Sequence, residues 1–161
     1  MKLFYTQSVQ QIAKELPFEL GKQEIKKFSD GELLVKVDPN IKNQEVWLIA
    51  GTQSPTENLI ECYFMLDALA RNGANINLII TYFGYERQDK TKPSEALSAQ
   101  VVSAFFNTFP INKFFIVHPH SHYLPQYLQF TPIFPTEIYT QLIKKLNITA
   151  IAAPDKGAQE L

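Results

Sequence analysis

The sequence predicts an α/β fold: a largely parallel sheet flanked by helices, with a β-hairpin near residues 18–37. Three observations carry this. Short apolar runs rich in β-branched residues recur along the chain, as in VWLIAG (46–51), INLIITYF (76–83) and KFFIVH (113–118). Amphipathic stretches of helical spacing lie between them. Strands that alternate with helices of ten or more residues pair in parallel, because each crossover must travel back over the sheet. At 161 residues the chain amounts to about one domain, and a domain of this size buries roughly 70% of its unfolded surface without staples.

The elements follow in order. KLFYT (2–6) is a short strand, and SVQQIAKEL (8–16) a helix with Ser8 as its N-cap. FELGKQEIKKF (18–28) and ELLVKV (32–37) flank Ser29, Asp30 and Gly31, so they form the two arms of a hairpin around an Asp-Gly turn. VWLIAG is a compact buried strand. NLIECYFMLDALARNG (58–73) is a helix that is apolar nearly all round and ends at Gly73 as a C-cap. So small a polar face calls for cover on two sides, by its own sheet and, as one option, by another subunit.

INLIITYF is the next strand. LSAQVVSAFFNTF (97–109) is a helix whose stripe runs through Val101, Val102, Phe105, Phe106 and Phe109, stopped by Pro110. KFFIVH is a strand, TEIYTQLIKKL (136–146) a helix capped by Thr136, and ITAIAAPD (148–155) a final strand. Only the first turn of a further helix follows. Residues 1–146 are therefore expected to form one domain, and 147–161 the first strand and turn of a truncated second.

Composition narrows the function. Fifteen basic and sixteen acidic residues give a net charge of −1, which argues against a surface for non-specific nucleic-acid binding. The single cysteine, Cys62, lies in an apolar stretch and is expected in the core, in a reducing compartment. No apolar run approaches the ~20 residues that span a bilayer, and the N-terminus turns polar too soon for a secretory signal. The expected location is the cytoplasm, with neither nucleic acid nor membrane as partner.

Four segments carry chemistry. YFGYERQDK (82–90) leaves a buried strand at the end where open α/β sheets bind ligands. Gly84 lets the backbone turn or approach a ligand closely, Arg87 offers a planar fork for phosphate, Gln88 donates and accepts, and Lys90 and Lys92 add point charges. Phe83 and Tyr85 either stack on a base or fold into the core. FSDGE (28–32) is either a plain turn or a pair of acceptors, Asp30 and Glu32, for an amino group or a ribose hydroxyl. In GTQSPTENL (51–59), hydroxyls at a helix start cap it or hold an anion, and neither a P-loop nor a dinucleotide fingerprint is present. HPHSH (118–122) holds all three histidines; one functional histidine at a strand end is favoured over a three-histidine metal site.

Taken together and in order, FSDGE, AGTQSPTENL (50–59), YFGYERQDK, LSAQVV (97–102), HPH (118–120) and APDKG (153–157) resemble ribose-phosphate pyrophosphokinase, also called phosphoribosyl pyrophosphate synthetase. The likeness covers essentially the whole chain, and YFGYERQDK is its most specific piece. It implies a phosphoribosyltransferase-like N-terminal half with a flag-like hairpin. It also implies transfer of pyrophosphate from Mg-ATP to ribose 5-phosphate, releasing AMP, in dimer-based homo-oligomers that reach hexamers.

By the same resemblance Arg87 and Gln88 contact the nucleotide, Asp89 orders the loop around it, and Lys90 and Lys92 begin a mobile closing loop. His120 is the active-site histidine near phosphates and metal, while Phe28, Asp30 and Glu32 reach the adenine of ATP on a neighbouring subunit. The chain departs from the family in carrying His118 where an aspartate usually helps hold magnesium, and in lacking the acidic residues that follow. A neutral histidine is a poor ligand for that hard ion. The ribose-phosphate loop belongs to the family's second domain, so the isolated chain is expected to be inactive. The alternative is a non-catalytic relative that binds nucleotide, or regulates or scaffolds other synthetase subunits.

Overall fold

The structure, a computed structural model, describes residues 1–152. Six strands, β1 (Lys2–Tyr5), β2 (Glu19–Leu20), β5 (Glu45–Gly51), β6 (Asn75–Tyr82), β7 (Ile111–Val117) and β8 (Thr131–Ile133), form one sheet in the order β2-β1-β5-β6-β7-β8. Every neighbouring pair in it is parallel. Strands β3 (Gln23–Lys27) and β4 (Leu33–Val37) form a separate antiparallel hairpin. The helices are α1 (Gln10–Glu15), α2 (Glu57–Arg71), α3 (Ser98–Phe106) and α4 (Thr136–Lys145).

The sheet has two unlike faces. On one, Leu48, Ala50, Ile76, Leu78, Ile80 and Ile116 are fully buried against Cys62, Met65, Leu66 and Leu69 of α2 and Phe106 of α3. Each large side chain buried this way contributes ~1.5–3 kcal/mol. On the other, Leu3 and Ile49 pack with Val9 and Ala13, while Trp47 stacks on Phe115. Ile25, Val35 and Val37 of the hairpin give α2 a second cover from the same chain, while its Ile60 and Phe64 stay exposed. Burial makes Cys62 an inert core thiol by pushing its pKa up.

Several expectations are corrected. Residues 18–28 are not one strand: Glu19–Leu20 pair with β1 and only Gln23–Lys27 enter the hairpin. The break falls at Gly21, where a Cβ would stand 2.3 Å from the Phe4 ring. Ser8 caps no helix. Its hydroxyl donates to the Gly51 carbonyl at 2.8 Å, and a 3-10 turn at 7–9 precedes α1. Thr136 lies inside α4, which has no side-chain cap. Helix α3 buries Val102 and Phe106, but Val101 and Phe105 are exposed. Residues 148–152 carry no strand, and the rest of the expected final strand, with APDKG, lies outside the described residues.

Candidate functional site

The C-terminal ends of β6 and β7 carry the two loops that build the site. Phe83 is buried on Phe106, with ring centroids 5.6 Å apart, so this aromatic belongs to the core. Gly84 then runs against the 51–59 loop. Its N–H donates to Thr52 Oγ1 at 2.8 Å, and a Cβ there would stand 2.2 Å from the Thr52 carbonyl oxygen. Thr52 Oγ1 in turn donates to the Tyr82 carbonyl at 2.9 Å. Tyr85, at φ 67, places its hydroxyl 2.9 Å from Thr56 Oγ1 at the start of α2. The hydroxyls of Thr52 and Thr56 thus hold the strand exit; Thr56 forms no side-chain cap on α2.

After that clasp the loop alternates. Glu86 turns inward and is 5% exposed, while Arg87 and Gln88 face outward. The Gln88 side-chain carbonyl accepts from Ser98 Oγ and its backbone carbonyl from Ala99 N–H at 3.1 Å, tying the loop to the start of α3. Asp89 Oδ2 accepts from Ser121 Oγ at 2.6 Å, and the Asp89 carbonyl accepts from the Tyr127 hydroxyl at 3.1 Å. Lys90 Nζ stands 4.8 Å from the Tyr123 ring centre. Lys92 Nζ lies 3.4 Å from the Glu95 carboxylate, an exposed pair worth little in water.

The HPHSH loop does not keep its three rings on one face. His118 has φ 50 and meets Phe134 edge-on at 5.7 Å, and Pro119 is buried behind it. Among the described residues, no group of three or more His, Cys, Asp or Glu converges on a metal position. His120 therefore has no ligand set around it. The carboxylates nearby are engaged: Asp89 holds Ser121, and Glu86 Oε2 accepts the His120 N–H at 2.8 Å. Burial raises the pKa of Glu86, against the opposing pull of the His120 and Ser121 N–H groups.

Two adjoining clefts result. One, of about 400 Å³, is lined by Arg87, Gln88, Asp89, Lys90, Lys92, Glu95, His120, His122 and Tyr123. The other, of about 460 Å³, is lined by Thr81, Tyr82, Tyr85, Glu86, Arg87, Gln88, His118 and His120. Arg87, Gln88 and His120 form the wall shared by both. The first cleft sets Arg87, Lys90 and Lys92 against Asp89 and Glu95, and with Lys92 paired to Glu95 the cations it offers an anionic ligand are Arg87 and Lys90.

Sequence reasoning placed Arg87, Gln88, Asp89, Lys90, Lys92 and His120 together, and the fold brings all six to one cleft. Phe28, Asp30 and Glu32 line neither cleft of this chain. They sit at the tip of the hairpin, whose Lys27 reaches Glu57 of α2 at 3.3 Å. Glu86 is the residue that sequence reasoning missed. It sits in a run of seven polar residues, 86–92, and nothing in a single sequence marks which of them turns inward.

The family model described as the N-terminal domain of ribose phosphate pyrophosphokinase matches residues 2–109. A ribose-phosphate pyrophosphokinase of Vibrio cholerae is 31% identical over 169 aligned positions, covering 98% of this chain and 54% of its own. One from Fusobacterium nucleatum is 36% identical over 113, covering 68% and 36%. The crystal structure of phosphoribosylpyrophosphate synthetase from Mycobacterium smegmatis superposes with a TM-score of 0.78 at 25% identity, over 89% of this chain and 51% of that one. The chain spans about half, or less, of the length of these relatives.

Proposed function

The chain belongs to the ribose-phosphate pyrophosphokinase family, and from that premise we propose that it supplies the ATP-binding half of a synthetase that transfers pyrophosphate to ribose 5-phosphate. The observation that carries this is the shared wall of Arg87, Gln88 and His120 between two clefts at the strand ends. Arg87 is exposed and forms no ion pair with the described residues, so its fork is open to phosphate oxygens. Pyrophosphoryl transfer depends on positioning and charge neutralisation more than on covalent steps by the protein. Lys90 and Lys92 would neutralise phosphate charge, and Asp89 would keep the loop in place through Ser121.

Magnesium would enter with the nucleotide as Mg-ATP. The described residues do not assemble a set of protein ligands for it. Phe28, Asp30 and Glu32 would serve the adenine of ATP held by a second copy, in a dimer-based and up to hexameric assembly in the cytoplasm. No helix among the described residues is long and apolar enough to cross a membrane. By itself the 161-residue chain would bind ATP and form no AMP.

Calorimetric titration with ATP tests this reading. The parent should bind, and Arg87→Ala should weaken binding about 10- to 100-fold, the range for a charge-assisted hydrogen bond, with its melting temperature unchanged. Equal affinity in the two would overturn the reading. AMP released by this chain with ribose 5-phosphate would overturn the claim of inactivity. A second reading, a non-catalytic regulatory or scaffolding relative, is favoured by one observation: the expected carboxylate position is His118, set against Phe134. It predicts that Arg87→Ala leaves association with other synthetase chains intact and that adding a complete synthetase restores no activity to this site.

A further inference from the structure

Glu86 is the least exposed carboxylate of the site, at 5%, and among the described residues it has no cation hydrogen-bonded to it. Burying an ionised carboxylate costs free energy unless its oxygens are hydrogen-bonded. What it meets is backbone: the N–H of His120 at 2.8 Å, and that of Ser121 beside it. Three residues on, Asp89 Oδ2 takes the Ser121 hydroxyl at 2.6 Å, and that hydroxyl accepts the Tyr123 N–H at 3.0 Å. The loop after β7 is therefore hung on two carboxylates of the loop after β6. Of the two, Glu86 acts on the residue that lines both clefts.

We propose that Glu86 is the positioning residue of this site: by holding the His120 peptide against the strand-exit loop, it fixes the His120 ring and the Arg87 guanidinium at one separation for the phosphates of a bound nucleotide. The proposal rests on the ATP reading above. Arg87 follows Glu86 directly in the chain, so inward anchoring of one aims the other outward. A glutamine at this position keeps the size but has one carbonyl oxygen for two N–H groups, and its own NH2 faces the second.

The first test needs no variant. In the full chain, labelled with 13C and 15N, scalar coupling across the hydrogen bond should link the Glu86 carboxyl carbon to the His120 amide nitrogen, with slow exchange of that amide proton. No coupling together with fast exchange would overturn the proposal. The second test is Glu86→Gln with Glu86→Asp alongside. Glu86→Gln should shift the His120 amide and ring signals and weaken ATP binding about tenfold, with a melting temperature close to the parent's. Unmoved His120 signals, or a fall in affinity no larger than the fall in thermal stability accounts for, would overturn it as surely. Should the parent bind no ATP, the nucleotide reading falls, while the coupling and the His120 signals still decide the role of Glu86.

Discussion

Two loops, the five residues 28–32 and the nine residues 82–90, both carry candidate ligand-binding residues, and the fold treats them oppositely. The strand-exit loop is anchored at nearly every step, by Thr52, Thr56, Ser98, Ser121 and Tyr127. Among the described residues the hydrogen bonds of the hairpin loop are internal: Phe28 N–H to the Glu32 carbonyl, Gly31 N–H to the Phe28 carbonyl, and the Glu32 N–H to Asp30. Phe28 is 42% exposed at its tip. A loop held rigid on all sides can be a site within one chain. The hairpin tip shows Phe28, Asp30 and Glu32 to solvent and lines neither cleft of this chain.

The contrast breaks most sharply at glycine. Gly84→Ala drives a Cβ into the Thr52 backbone, which cannot yield as a side-chain end would. We expect a loss of about 3 kcal/mol or more, read as a fall of roughly 6–12 °C in melting temperature. Gly31→Ala meets only the end of the Lys27 side chain, at an ordinary contact distance of 3.9 Å, and is opposed by its φ of +95°, so it should cost roughly 1–2 kcal/mol. Equal shifts would mean that the hairpin tip is as constrained as the strand exit.

A smaller effect sharpens the same comparison. If the hairpin serves a second copy, ATP affinity should rise with protein concentration, and Phe28→Ala should flatten that rise, by about tenfold at most. Calorimetry at several concentrations reads this. A Phe28→Ala defect that persists at the lowest concentration would place the hairpin over the site of its own chain.

The smallest effect lies on α2, where the two regions meet. Glu57 pairs with Lys27 of the hairpin, and its pKa is lowered, first by its own backbone N–H and then by that lysine. Glu61, one turn on, is buried and accepts the Gln7 N–H, and burial raises its pKa. The signs follow from linkage. Glu57 contributes stability above its unfolded pKa and loses it as pH falls through the lower folded value. Glu61 contributes below its unfolded pKa and loses as pH rises through the higher folded one. Carboxyl 13C titration should give Glu61 the higher midpoint. The reverse order would show that Glu61 is solvated.

What could be read from the sequence follows the reach of the forces involved. β5, β6 and β7 are continuous apolar runs because both faces of a parallel sheet are covered, and each was plain in the sequence. β2 and β8, of two and three residues, exist only because β1 and β7 offer edges to pair with, and neither was foreseen. Ser8 and Thr136 had the residue types of caps, but Ser8 was taken by Gly51, 43 positions away. The six residues gathered in one cleft came from the resemblance to the family, which the order of the motifs carried. Glu86 did not, because its burial depends on the His120 and Ser121 amides of another loop.

The edges of the sheet hold one more consequence. At one side, β2 offers only Glu19 and Leu20; at the other, the middle residue of β8 is Pro132, which has no N–H to give. A third copy of this sheet would find almost nothing to zip onto at either border. Growth of this six-stranded sheet by strand addition is thereby disfavoured at both borders.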